Sequence, residues 1–179
     1  MRNIHVLVGR QETIRAIRFD LKTPLIVPLE QRLALIPLTG PVLSDIESRL
    51  EHAAPARYPS WFPVYTPALE SWLREQSQHG TLGHFFIDAF GDSILQVALL
   101  WKEGKMSLAS VLNDSSLVEE CDPVNTVLRL MGAYPKWWMN EMQTIGLERH
   151  ATMDSWLTEA MTLYREEKAR EASALNEPE

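Results

Sequence analysis

The side chains best suited to acid–base chemistry in this sequence lie together near residue 150. Arg149 precedes His150, and Asp154 follows His150 by four residues. A carboxylate at that spacing can orient an imidazole, as a general base requires. The same residues also fit a loop-to-helix junction that satisfies local charges and backbone groups, and we favour this structural interpretation. A small enzyme or ligand-binding domain that uses Arg149, His150 and Asp154 stays open as the alternative.

The other residues that could bind a metal or act as a nucleophile are scattered. The remaining histidines are His5, His52, His79 and His84. None forms a His-x-x-x-His or His-Glu-x-x-His pattern, so surface histidines are favoured over a metal site that joins His79 and His84 to Asp88 or Cys121. Cys121 lies among acidic residues, which disfavour the reactive thiolate. No glycine-rich phosphate loop is present, and we expect no catalytic residue, no metal and no cofactor.

The charge balance restricts the class of partner. The 179 residues include 17 Lys and Arg against 24 Asp and Glu, which gives a net charge of −7. A nucleic acid or an anionic membrane needs a basic face, so neither is expected as a partner. An acidic cluster is instead predicted to bind a protein partner. Its residues are Asp114, Glu119, Glu120 and Asp122.

Six tryptophans are more than one apolar core requires. Trp72, Trp101 and Trp156 fall on predicted apolar faces and are assigned to the core. Adjacent residues on a helix point about 100° apart, so Trp61 and the pair Trp137 and Trp138 cannot all be buried on one face, and at least one of the three is expected to be exposed. Exposed tryptophans are enriched at binding hot spots. We therefore add Trp137 and Trp138 to the predicted partner-binding residues, with core or loop packing as the alternative.

Strands are predicted in the first and central parts of the chain. Period-two patterning and β-rich composition predict strands at 4–8 and 13–19, joined by a hairpin-sized turn. Prolines interrupt the segment that follows, which indicates short or edge strands. Three further strands at 84–89, 94–101 and 106–112 are separated by turn residues, which predicts an antiparallel meander.

Helices are predicted between these strands and at the C-terminal end. One begins near Gly40, and a second begins after an N-cap at Thr66. A third helix follows Pro123, a short segment containing Trp137 to Met142 ends at Gly146, and a last helix is capped by Thr152. This order predicts an α+β fold, with an antiparallel sheet and helices packed on one face.

The chain length predicts a single domain over residues 1–164. Residues 165–179 are polar on all sides and are predicted to be a helical extension or a disordered tail. The opening residues lack the apolar run of a signal peptide, and no stretch approaches the ~20 apolar residues that span a bilayer. A cytoplasmic protein is expected.

Several short motifs follow one another along the chain. They are Thr66-Pro67-Ala68-Leu69, Phe86-Ile87-Asp88-Ala89-Phe90-Gly91, Gln96-Val97-Ala98-Leu99-Leu100-Trp101, Gly104-Lys105, Asn125 to Gly132, Gly146-Leu147-Glu148-Arg149-His150 and Asp154-Ser155-Trp156. Their order resembles that in a group of small bacterial cytosolic proteins often encoded beside secreted toxins. The resemblance spans roughly residues 33–157. Asp92 and Glu148 depart from it, because the group has glycine at both places.

The resemblance implies an immunity-type role, in which the protein binds and neutralises a cognate bacterial toxin. The sequence is consistent with this expectation, since its acidic clusters would steer association with a basic partner. The alternatives are the small enzyme or ligand-binding domain and a secretion-system adaptor or chaperone, which would need an exposed apolar groove.

Overall fold

The computed structural model describes residues 2–18, 20–22, 25–49, 65–113 and 122–174. Within these ranges the chain forms six strands and six helices. The strands are β1 (Arg2–Arg10), β2 (Val27–Pro28), β3 (Leu33–Pro37), β4 (Leu82–Phe90), β5 (Ser93–Lys102) and β6 (Lys105–Leu112). The helices are α1 (Gln11–Arg18), α2 (Gly40–Arg49), α3 (Pro67–Gln76), α4 (Pro123–Leu130), α5 (Glu141–Ile145) and α6 (Met153–Ala174).

These six strands form one antiparallel sheet in the order β2-β3-β1-β4-β5-β6. Strand β1 lies near the middle and pairs with β3 on one side and β4 on the other. Strands β4 to β6 form the predicted meander, and its turns place Gly91 and Gly104 at φ values of 59° and 72°, a left-handed region that favours glycine. The predicted α+β class and the antiparallel sheet are confirmed.

Helices cover both faces of the sheet, so the prediction that they pack on one face is wrong. Ile4, Val6 and Val8 of β1 point to the face covered by α4, α5 and α6. Leu7 points to the opposite face, where it packs with side chains of α1, α2 and α3. Strand β1 is buried on both sides because its apolar run is nearly continuous, a pattern typical of a strand between two layers.

Residues 11–18 form helix α1, where the sequence pattern predicted a strand and a hairpin. Ile14 and Ile17 are three residues apart, so a helix places both on one buried side. The same two residues would point to opposite faces of a strand. The partners of β1 come instead from β3 and β4, so the chain does not need a local hairpin to complete the sheet.

The starts of α2, α3, α4 and α6 agree closely with the sequence. The Thr66 hydroxyl accepts a hydrogen bond from the Leu69 backbone N–H at 3.2 Å and caps α3, as predicted. Helix α6 buries Trp156 and Ala160 and then continues, exposed, to Ala174, so the polar extension is helical as far as that residue. None of the helices in the described ranges combines the length and the apolar character that crossing a membrane requires.

Candidate functional site

The most exposed large apolar side chains of the described residues lie in the connection between α4 and α5. We call residues 131–140 the aromatic loop. Trp137 is 96% exposed and Trp138 is 85% exposed. The two indole rings contact each other edge to face, with centroids 6.3 Å apart. Tyr134 of the same loop and Leu130 at the end of α4 are also exposed. The prediction that at least one of Trp61, Trp137 and Trp138 is exposed is therefore confirmed by Trp137 and Trp138, whereas Trp61 lies outside the described residues.

Hydrogen bonds to other parts of the fold fix the backbone of the aromatic loop. The Gln31 side chain accepts from the Tyr134 N–H at 3.0 Å and donates to the Tyr134 carbonyl at 2.8 Å. The Lys136 N–H donates to the Thr144 hydroxyl at 3.0 Å. The Met139 N–H closes a turn on the Lys136 carbonyl at 2.8 Å. The loop is therefore held at its beginning by the β2–β3 turn and at its end by α5.

The backbone of Trp137 is left-handed, with φ of 44°. A bulky residue in this region is unusual, because its Cβ approaches the following carbonyl oxygen and costs roughly 1–2 kcal/mol. Sequence analysis placed Trp137 and Trp138 in a short helical segment, which is wrong. Asn140 caps α5 in a capping box with Gln143, so the helix begins only at Glu141.

Helices α4 and α5 form a rigid base beneath the aromatic loop. The Asn125 side-chain oxygen accepts from the buried Met142 N–H at 2.8 Å. The Arg129 Nε donates to the Glu141 carboxylate at 2.7 Å, and that side chain is only 2% exposed. Hydrogen bonding and the charge of Glu141 raise the pKa of Arg129. The guanidinium thus neutralises a buried carboxylate and remains exposed on the surface of α4.

Two basic residues lie near the tryptophans in the sequence, and one of them, Arg129, is already paired with Glu141. Arg129 and Lys136 are both exposed and lie on either side of the loop's first half. Of the predicted acidic cluster, Asp114, Glu119 and Glu120 lie outside the described residues. Asp122 caps α4, since its carboxylate accepts from the Asn125 N–H at 3.0 Å. Its position is thus explained by the helix N-terminus, where negative charge is favourable.

Arg149 and His150 pair with Glu159, whereas the enzyme alternative left open by the sequence would have used Asp154 to orient His150. Arg149 donates to the two carboxylate oxygens of Glu159 at 3.1 and 2.8 Å, and His150 Nε2 lies 2.8 Å from one of them. Both residues pack on the buried Trp156 ring. The His150 ring centroid and the Arg149 Cζ each lie 4.8 Å from the centroid of the indole. The spacing in the sequence drew attention to Asp154. Glu159 lies more than one turn further along α6 and contacts Arg149 and His150, which pack on Trp156.

These contacts give Arg149, His150 and Glu159 a structural role. Arg149 also donates to the Pro28 carbonyl at 3.0 Å, so it joins the loop before α6 to the edge strand β2. An open surface cavity of about 610 Å³ adjoins the pair. Ser155 also lines it, but the Ser155 hydroxyl bonds to Thr152 at 3.0 Å. The contacts fit the loop-to-helix junction that sequence analysis favoured.

Sequence analysis missed a buried pair of histidines. His5 on β1 and His84 on β4 are 4% and 0% exposed, and their Nε2 atoms lie 2.7 Å apart. Tyr65 stacks on His84 and Phe86 contacts His5 edge to face. Burial lowers the pKa of His5 to about 4, and burial together with the charge of His5 lowers the pKa of His84 well below its usual value.

The interpretation of His84 as a surface residue is therefore wrong. Strand β4 begins at Leu82, two residues before the predicted start, so His84 lies inside the sheet between β1 and β5. The signal available in the sequence was that His5 and His84 each lie within or beside an apolar run. His79 is exposed and lies in the turn after α3. Cys121 lies outside the described residues. Among the residues that the structure describes, no group of three or more His, Cys, Asp or Glu side chains could hold a metal ion.

Comparison with protein families, with curated proteins and with solved structures finds no match to this chain. The resemblance to small proteins encoded beside secreted toxins therefore stays a prediction.

Proposed function

We propose that this protein is a protein-binding module and that the aromatic loop is its contact surface. The observation that carries the proposal is the adjacent pair Trp137 and Trp138, 96% and 85% exposed on a loop held by hydrogen bonds. A tryptophan buries a large area when it is covered, so two exposed neighbours provide a strong driving force for association. Tryptophan is also among the residues most enriched at interface hot spots.

The fixed backbone strengthens this interpretation. Ordering a flexible loop opposes association, whereas a loop that is already fixed avoids much of that loss. Gln31 and Thr144 hold the loop without using either indole ring. The left-handed backbone of Trp137 is a local strain of the kind that clusters at functional sites. Folding therefore holds the backbone from which the two rings project.

The partner in this proposal is a secreted bacterial toxin, which the protein would neutralise by binding. The support is the motif resemblance together with the net charge of −7. We assign the acidic residues Glu119 and Glu120 to electrostatic steering of a basic partner. A secretion-system adaptor role would use the same exposed rings with a different partner.

The test begins with purification of the protein and its bound partner from the native host. Association and dissociation rates are then measured for Trp137→Ala, Trp138→Ala and the control Phe90→Ala. Phe90, the last residue of β4, is 74% exposed, so it serves as an exposed aromatic side chain outside the loop. Loss of a hot-spot tryptophan costs about 2 kcal/mol or more, which speeds dissociation about 30-fold.

Charge reversal separates steering from contact. Glu119→Lys and Glu120→Lys should slow association with a basic toxin and weaken its dependence on salt, while dissociation changes little. Unchanged dissociation in both tryptophan variants would show that the aromatic loop is not the interface. A copurified partner that is not a toxin would retain the binding role and contradict the immunity role.

A further inference from the structure

A second candidate site lies away from the aromatic loop, between the middle of α6 and the start of α2. It is a partly enclosed cavity of about 420 Å³. Its apolar lining includes Leu25, Val42, Leu157 and Met161. The volume falls in the lower part of the range for small-molecule pockets, ~300–1,000 Å³. A cavity of this size and lining can hold the apolar part of a small molecule, but not a folded protein.

Two cations complete the lining, Lys22 from the segment after α1 and Arg165 from α6. Arg165 is exposed and forms no ion pair with any residue in the described ranges. Lys22 is also exposed and lies 3.4 Å from Asp45. Asp45 accepts a hydrogen bond from the Lys22 backbone N–H at 2.9 Å and also pairs with Arg49 at 3.3 Å.

The Asp45 carboxylate is thus shared among several donors. Burial alone would raise its pKa, but the Lys22 N–H and the charge of Arg49 outweigh that effect and lower the pKa. Asp45 therefore stays ionised and fixes the backbone of Lys22 beside the cavity. The cavity combines an apolar interior with positive charge on two sides, and none of the described residues that line it is acidic.

We propose that this cavity binds a single-chain amphipathic anion. The alkyl chain occupies the space between Leu157 and Val42, and the anionic headgroup lies against Arg165 and Lys22. A carboxylate and a phosphate monoester share the chemistry that these cations recognise. The site uses none of the residues of the aromatic loop, so it goes beyond the proposed binding function and stands independently of it.

Calorimetric titration with octanoate, decanoate and dodecanoate below their micelle concentrations tests the proposal. Each added methylene group that enters the cavity should tighten binding about fourfold, from roughly 0.8 kcal/mol per buried CH₂. Decyl phosphate, decanol and decyltrimethylammonium have the same chain with a different headgroup. The phosphate and carboxylate arms identify the preferred anion, and the neutral and cationic ligands should bind at least fivefold more weakly.

Matched variants locate the site. Met161→Trp fills the cavity and should weaken decanoate binding at least tenfold, whereas Thr162→Trp adds the same ring one position along α6 and should not. Arg165→Gln should weaken decanoate about two- to fivefold, as expected for a partly solvated charge. Arg170→Gln removes a cation from the same helix, where Arg170 faces Glu166 at 3.7 Å, and should leave binding unchanged.

Three results would overturn the proposal. They are no detectable binding of any of the three carboxylates, equal affinity for decanoate and decyltrimethylammonium, and unchanged binding in Met161→Trp. Circular dichroism spectra identical to the unmodified protein show that each variant is folded. Partner binding through the aromatic loop is unaffected by any of these results, because the two surfaces share no residue.

Discussion

The buried histidine pair makes the protein sensitive to mild acid. His5 has a pKa of about 4 in the folded protein, against 6.5 in an unfolded chain. Between these values the unfolded state binds a proton that the folded state does not, so lowering the pH favours unfolding. Stability contributed by neutral His5 is complete above about pH 6.5 and is lost progressively down to about pH 4.

The size of the effect follows from the two pKa values. A pH of 5 lies about 1.5 units below the pKa of His5 in the unfolded chain. Over that interval protonation stabilises the unfolded state by ~1.36 kcal/mol per pH unit, while His5 of the folded protein stays neutral. His5 alone should therefore lower the free energy of unfolding by about 2 kcal/mol between pH 7 and pH 5. The pKa of His84 is lowered in the same direction, so it adds to this loss.

Urea denaturation at pH 7, 6 and 5 measures this loss directly. His5→Gln keeps a hydrogen-bonding side chain but does not titrate, so it should remove about 2 kcal/mol of the pH dependence. His79→Gln is the control, because His79 is exposed and leaves the pair intact. In proton–carbon NMR spectra the His5 ring signals should not titrate above pH 5. A His5 midpoint near 6.5, or equal stability at pH 7 and pH 5, would refute the reasoning.

Three further predictions concern packing and the base of the aromatic loop. Asn125→Ala leaves the buried Met142 N–H without its acceptor at 2.8 Å and should lower the free energy of unfolding by about 1–3 kcal/mol. Urea denaturation measures this loss, and Thr126→Ala at an exposed neighbouring position is the control. Gly83→Ala places a Cβ 2.6 Å from the Phe85 ring and 2.7 Å from the Met131 sulfur, so it should lower the free energy of unfolding by about 1–3 kcal/mol. Gly40→Ala is the control, because its Cβ meets nothing within 4 Å and the variant should not be destabilised. Trp137→Gly relieves the left-handed strain, so it should be about 1 kcal/mol more stable than Trp137→Ala, and equal thermal midpoints would contradict the strain.

Local signals predicted those elements whose ends are chemically marked. Thr66 with Pro67 marks the start of α3, and Asp122 with Pro123 does the same for α4. The strands of the meander are marked by turns at Gly91 and Gly104. Each of these signals acts within a few residues and needs no knowledge of the rest of the fold.

Features that depend on distant residues were not predictable in this way. The period-two pattern of residues 13–19 favours a strand, but residues 11–18 form a helix because β3 and β4 already occupy both edges of β1. The contact of His5 with His84 joins residues 79 positions apart. Glu159 replaces Asp154 as the partner of His150 because Trp156 fills the space between the loop and α6. Tertiary packing decided each of these cases.

The binding role proposed for the two tryptophans is consistent with the way in which the aromatic loop is held. The bonds that shape the loop come from main-chain groups, Gln31 and Thr144. In the described part of the chain, the recorded ring contact of each indole is with the other. Any polar side chain could occupy these two positions without loss of a structural contact, and glycine would better suit the backbone of Trp137. The described part of the fold gives no structural reason for two adjacent tryptophans, which is why we propose a partner that covers them.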